Sequence, residues 1–135
     1  MNGVEAYLKA NLKELNKACP VSKISLGYSY LYSEQSQGGL ISKYALDYLK
    51  HQFCSELSIN LPFKAIQTIK LSYEERINQG DYFLLDSRIS KRIERDGFAL
   101  EFFVEATNLL NISYQEIGGV PMPGRWTQGG VKVEF

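Results

Sequence analysis

Seven separate stretches of this chain change between apolar and polar at every second residue. That period is the signature of a strand with one greasy face and one wet face. In residues 4–13, Val4, Ala6, Leu8, Ala10 and Leu12 share one face, while Glu5, Tyr7, Lys9, Asn11 and Lys13 share the other. In residues 23–32, Ile24, Leu26, Tyr28, Tyr30 and Tyr32 oppose Lys23, Ser25, Gly27, Ser29 and Leu31. The same split runs through 53–61, 65–74, 83–90, 98–107 and 128–135. Two places admit a second structure. Val4, Leu8, Leu12 and Leu15 also line up on a helix, and Tyr44, Ala45, Tyr48 and Leu49 fit either a short helix or the start of a strand. For 4–13 the sustained alternation favours strand.

Tight turns are predicted at 61–64 (with Pro62) and 94–97 (with Gly97), and shorter links at 16–22 and 76–81. Longer loops occupy 33–47, with Gly38-Gly39, and 108–127, with Gly118-Gly119 and Pro121-Met122-Pro123-Gly124. No heptads, low-complexity tract or composition break divides the chain, so residues 1–135 read as a single segment. The fold class is all-β, an antiparallel up-and-down meander of about seven strands.

Composition removes several classes of function. With 15 Lys+Arg against 15 Asp+Glu in 135 residues, the chain lacks the basic surplus that nucleic-acid binding needs. No apolar run is long enough for a transmembrane helix, and the first residues lack the basic-then-apolar pattern of a secretory signal. Cys19 and Cys54 are too few for a four-cysteine zinc site and are expected to be unpaired thiols. His51 is the only histidine, so no His cluster holds a metal, and no cofactor is expected.

The greasy rows point to lipid. They carry no charge within the seven stretches, whereas the opposite rows carry Glu5, Lys9, Lys23, Glu56, Lys70, Asp86, Arg88, Glu101, Glu105 and Lys132 among others. Runs of about 8–10 residues come close to spanning a tilted transmembrane strand, where soluble strands cluster near 5–6. In an up-and-down chain, Phe63, Phe98 and Phe135 collect at one rim, and Tyr28, Tyr30, Tyr32, Tyr73, Tyr82 and Phe83 at the other. The short turns lie on the Phe rim and the long loops opposite, the asymmetry of outer-membrane barrels.

The C-terminal third carries a more specific pattern. Residues 98–107 run into Asn108-Leu109-Leu110-Asn111-Ile112-Ser113-Tyr114, a Pro123-Gly124-Arg125 loop follows, and a last strand alternates Val131, Val133 and Phe135. This ordered set resembles the end of a TonB-dependent outer-membrane receptor, in which an Asn-Leu-x-Asn-x-x-Tyr segment and a Pro-Gly-Arg loop precede a final strand ending in Phe. Asn108, Leu109, Asn111, Tyr114, Pro123, Gly124, Arg125 and Phe135 match that pattern, as structural rather than catalytic residues. Tyr44-Ala45-Leu46-Asp47-Tyr48 resembles members from Bacteroidetes, some of which take up cobalamin.

The resemblance implies a barrel of about 22 strands with a plugged lumen, of which this chain supplies the last seven. It further implies location in the outer membrane and import of a scarce nutrient such as an iron chelate or cobalamin. The implied partners are membrane lipid, the barrel-assembly machinery reading the strand that ends in Phe135, and the remainder of the receptor. Energy-coupling TonB would engage only through the plug, which is absent from these residues, as are an energy-coupling box and about fifteen strands. The chain therefore reads as a fragment, or as a reading frame that begins at an internal Met.

Other candidate chemistry is sparse. Glu101 and Glu105 share a face about 13 Å apart, which suits two lumen acids better than a glycosidase pair. Asp86 and Arg88 read as part of a charge network, His51 as an interfacial residue, and Arg125 as either a ligand contact or a loop anchor. Gly118-Gly119 is no phosphate cradle, because no helix or Lys-Ser/Thr follows. The chain is not expected to be an enzyme. Two other readings stay open. One is a stand-alone eight-stranded outer-membrane barrel with 40–50 or 112–117 as the missing strand. The other is a soluble β-barrel or sandwich that encloses its apolar rows around a small ligand.

Overall fold

The computed structural model describes residues 2–15, 19–32, 49–77 and 80–135. The elements are β1 (Asn2–Asn11), a helical turn α1 (Leu12–Leu15), β2 (Val21–Tyr32), β3 (Leu49–Asn60), β4 (Ala65–Arg76), β5 (Asp81–Arg95), β6 (Phe98–Thr107), β7 (Gln115–Ile117), β8 (Val120–Pro121) and β9 (Trp126–Glu134). Seven of the strands form one antiparallel sheet in the order β1-β2-β3-β4-β5-β6-β9, and β7 and β8 make a separate small ribbon. The meander expected from the alternation is the fold.

Register carries each apolar row across the sheet. One line runs Ala10–Ile24–Leu57–Ile69–Ser87–Ala106–Thr127, and a second runs Ala6–Tyr28–Phe53–Tyr73–Phe83. Because side chains alternate, the polar row falls on the other face as consistently, as in Ser25–Glu56–Lys70–Asp86. β4 begins at Ala65 opposite Lys91 while β5 continues to Arg95, and β5 begins at Asp81 while β6 pairs with it only from Ser87 onward. Both ends of the sheet thus step the same way from β4 to β6.

No second layer packs on the sheet among the described residues. Tyr82 and Ala99 are the only buried apolar side chains there, and no large side chain is fully enclosed. Leu8 is 61% exposed, Val104 59% and Val131 54%, all on the apolar face. Among the described residues the sheet is also open: β1 and β9 each pair on one side only, and seven alternating strands leave them running in the same direction.

The turns use local backbone chemistry. Gly97, at φ 89°, closes the two-residue link between β5 and β6, a conformation that a side chain disfavours. At Pro62–Lys64 the chain makes a single 3-10 turn, with Leu61 N–H donating to the Ala65 carbonyl at 2.8 Å.

Several expectations change. The first stretch is a strand only to Asn11; Leu12-Lys13-Glu14-Leu15, all good helix formers, close into α1. β5 runs past 90 and starts before 83, so Lys91 and Arg95 join the apolar row at one end and Asp81, opposite Glu75, at the other, and the row is charge-free only between them. Tyr82 leaves the aromatic rim for the charged face, because it pairs with Glu74 across the strands. Residues 115–117 pair with β8 rather than with the sheet, so 112–117 supply no eighth strand. Residues 33–48, which include the Tyr44–Tyr48 segment, lie outside the described residues, and β3 begins at Leu49. Cys19 and Cys54 are both free.

Candidate functional site

The charged face is a lattice of ion pairs set by cross-strand register. Lys23 Nζ meets Glu56 Oε1 at 2.7 Å between β2 and β3, while Lys50 meets Glu75 at 2.9 Å at the strand ends of β3 and β4, where Glu75 alternates onto the Tyr73 side of the sheet rather than onto this face. Between β5, β6 and β9, Arg88 reaches Glu101 at 2.9 Å and Glu105 at 3.5 Å, and its guanidinium lies 4.1 Å from the centre of the Phe103 ring. Phe103 in turn lies over Gly130, where an added Cβ would come within 2.9 Å of the ring. One guanidinium thus donates to Glu101 and pairs by charge with Glu105, which favours the charge-network reading of the two carboxylates over an acid/base pair. Lower down, Arg92 bridges Glu94 and Glu134 at 2.9 and 2.7 Å.

Above this lattice, the segment from Asn108 to Arg125 folds back over the end of β5 as a clasp. Asn108 is 4% exposed and stands at φ 48°, a left-handed conformation that Asn tolerates better than most residues. Its backbone N–H donates to Asp86 Oδ1 at 2.9 Å. Its Nδ2 donates to the carbonyls of Ile112 at 2.8 Å and Pro123 at 3.3 Å, while its Oδ1 accepts from Ile112 N–H at 2.9 Å. A buried amide with all its functions engaged rigidifies whatever it joins. Here it joins β5, the turn after β6, and the Pro-Gly-Arg loop.

Neighbouring residues repeat the pinning. Leu109 N–H donates to the Leu85 carbonyl at 2.8 Å, so β5 holds the chain one step beyond Asn108. Asn111, at φ 54°, accepts through Oδ1 from Arg125 N–H at 2.9 Å, and Arg125 Nε donates to the Leu109 carbonyl at 3.0 Å. Gly124 is required by that approach: an added Cβ would stand 2.7 Å from Asn111 Oδ1. The Tyr114 ring packs against Tyr82 with centroids 4.7 Å apart, and Tyr82 Oη donates to Glu74 Oε2 at 2.6 Å. Glu74 also accepts from Arg76 and Gln52, which links the clasp to the ion-pair lattice. Burial, and after it the negative charges of Glu116, Asp86 and Glu74, push the Tyr114 phenol above its ordinary value of 10.0.

Seven of the eight residues singled out in the sequence therefore meet in one structure: Asn108, Leu109, Asn111, Tyr114, Pro123, Gly124 and Arg125. The eighth, Phe135, stands apart and fully exposed at the end of the chain, past β9. Of the two roles open to Arg125, the geometry supplies loop anchoring. Asp86, Tyr82 and Glu74 belong to the clasp and were not expected there. The signal for Asp86 was available: hairpin register counted outward from Gly97 brings it level with Thr107, one step before Asn108.

The clasp spends its polar groups internally, so its chemistry is that of a lock on the exit of β6 and the entry to β9. Beside it an open hollow of about 380 Å³ is lined by Asp81, Tyr82, Ile112, Ser113, Tyr114 and Gln115. At the far edge of the apolar face, Tyr28 Oη lies 2.8 Å from His51 Nδ1, and the Tyr30 ring packs on His51 at 4.8 Å, a small polar-aromatic cluster at the strand ends. Among the described residues no three His, Cys, Asp or Glu side chains gather to hold a metal ion. Comparison of the chain with family models, curated proteins and solved structures found no match.

Proposed function

We propose that the chain is a C-terminal wall segment of an outer-membrane barrel of the TonB-dependent receptor kind, and that it serves import of a scarce nutrient such as an iron chelate or cobalamin. It acts in transport and not in catalysis. The apolar face meets lipid, the ion-pair lattice faces the lumen, and the clasp stands on the long-loop side.

The observation that carries this reading is the bare apolar face. A soluble sandwich or ligand-binding barrel would bury Leu8, Val104 and Val131, and an exposed apolar surface of this extent marks contact with a membrane or a protein. Strand length agrees. The twelve residues of β4, at about 3.3 Å each and tilted by about 40°, reach about 30 Å, the thickness of a hydrocarbon core.

Strand parity supports a fragment over a self-contained barrel. β1 and β9 run in the same direction, so joining them edge to edge makes a parallel pair. Antiparallel closure needs an odd number of further strands, and the family's about fifteen is odd. Lipid tolerates no open strand edge, so those strands must come from elsewhere in the protein. Phe135 then presents the terminal signal to the assembly machinery, and the receptor's plug makes the contact with TonB.

Fractionation tests this. An antibody against residues 112–127 should detect, in native outer membranes, a band several-fold heavier than 15.3 kDa. A band near 15.3 kDa in the soluble fraction contradicts the proposal and favours a small binding barrel.

A further inference from the structure

The short-turn end of the apolar face carries cations that neither the ion-pair lattice nor the clasp uses. β4 starts with Ala65 opposite Lys91, and β5 overhangs that start as far as Arg95. A notch of about 710 Å³ opens between the overhang and the 3-10 turn, lined by Phe63, Lys64, Lys91, Arg92, Ile93 and Glu94. On that side the backbone of residues 92–95 has no strand neighbour, so it presents unpaired edge groups to the notch. Arg92 and Glu94 are bonded to each other, and Arg92 also to Glu134. Lys64, Lys91 and Arg95 make no ion pair among the described residues, so the notch and its margin hold a net positive charge.

Their surroundings are apolar. Lys91 stands in register with Ala65 and Phe102, Arg95 with Phe98, and Phe63 projects beside them at 85% exposure. Lys and Arg stems cover apolar surface while their charged heads reach toward the nearest polar layer. Positive heads at the end of an apolar face, beside an exposed Phe, match a hydrocarbon boundary bearing negative headgroups.

We propose that this notch binds the phosphate of an anionic lipid headgroup. Lys64 and Lys91 supply the charge, the free β5 edge supplies N–H donors, Phe63 seats among the acyl chains, and Arg95 engages a neighbouring headgroup. This rests on the lipid-facing reading of the sheet and adds to it a lipid class and a location.

The test is flotation of the full chain with vesicles of phosphatidylcholine alone, or mixed with phosphatidylglycerol. The variants are Lys64→Gln/Lys91→Gln/Arg95→Gln and, on the opposite face, Lys9→Gln/Lys70→Gln/Lys132→Gln. The native chain should prefer the anionic vesicles, and the first variant should lose about fivefold for each cation removed, about a hundredfold in all. The second should keep the preference. If the triple variant lacks the β signal in circular dichroism, Lys64→Gln and Lys91→Gln singly should each show the fivefold loss. Equal flotation of native chain and variant with both vesicles overturns the headgroup site and leaves the lipid face standing. No flotation with either overturns both. Loss of the preference to inorganic phosphate at fixed ionic strength overturns the lipid assignment in favour of a free anion.

Discussion

The backbone amide of Asn108 donates to the carboxylate of Asp86 at 2.9 Å, and this one bond fixes where β6 leaves the sheet. Everything the clasp does follows from that anchor, because Asn108 then holds Ile112 and Pro123 through its side chain. Asn108→Ala removes three side-chain bonds and places Ala at φ 48°, which together should cost about 2–4 kcal/mol. Asn108→Gly relieves the backbone strain and should recover about 1 kcal/mol of it. Hydrogen exchange should show faster exchange at Ile112 and Arg125 in both variants, with β3 and β4 unchanged.

Gly124 and Asn111 form a second coupled pair. Gly124→Ala drives a methyl to 2.7 Å from Asn111 Oδ1 and should break its bond to Arg125 N–H, at a cost of about 1–2 kcal/mol. Asn111→Ala removes the same bond from the other partner. A double-mutant cycle in urea should therefore find the pair non-additive, the double variant costing little more than the worse single one.

Alkali should loosen the clasp through Tyr114. Its phenol is raised above 10.0 by burial and by Glu116, Asp86 and Glu74, so the fold favours the neutral form. The stability this represents is fully present below the unfolded value, near pH 10, and is lost as pH rises through the higher folded value. Tyr114→Phe keeps the ring stack on Tyr82, and should leave neutral-pH stability within about 0.5 kcal/mol while abolishing that alkaline loss. Unfolding midpoints across pH 8 to 12 check it.

Val104 is a probe of the proposed lipid face. At 59% exposure, Val104→Lys in water should change stability by less than about 0.5 kcal/mol. In a bilayer the same change near the midplane should cost about 2–4 kcal/mol. Comparing the variant's stability in detergent-free buffer and in vesicles reads the difference.

What the sequence disclosed depended on range. β6 was legible from Phe98 to Thr107 because alternation is local and Gly97 marks its start. β5 reads as ending at residue 90 from the sequence, because Lys91 and Arg95 break the apolar row and only pairing with Phe102 and Phe98 keeps the strand going. Asn108, Asn111, Gly124 and Arg125 were recognisable as a set, yet nothing local told that Asn108 would clip to Asp86. That contact depends on the hairpin register as a whole. Tyr82 reads as a rim residue from the sequence for a related reason: its ring is aromatic enough for a rim, but its partner Tyr114 arrives from a loop more than thirty residues away.

The central claim is that one face of this sheet meets lipid and the other does not. It is tested most directly by placing single cysteines at Phe102, Phe103, Val104 and Glu105 of β6, with Cys19 and Cys54 replaced by Ser. Each would be labelled with an environment-sensitive fluorophore in the membrane-inserted protein and exposed to a lipid-borne quencher. The account predicts strong quenching at 102 and 104 and weak quenching at 103 and 105. Uniform quenching along the strand, or none at 102 and 104, contradicts it.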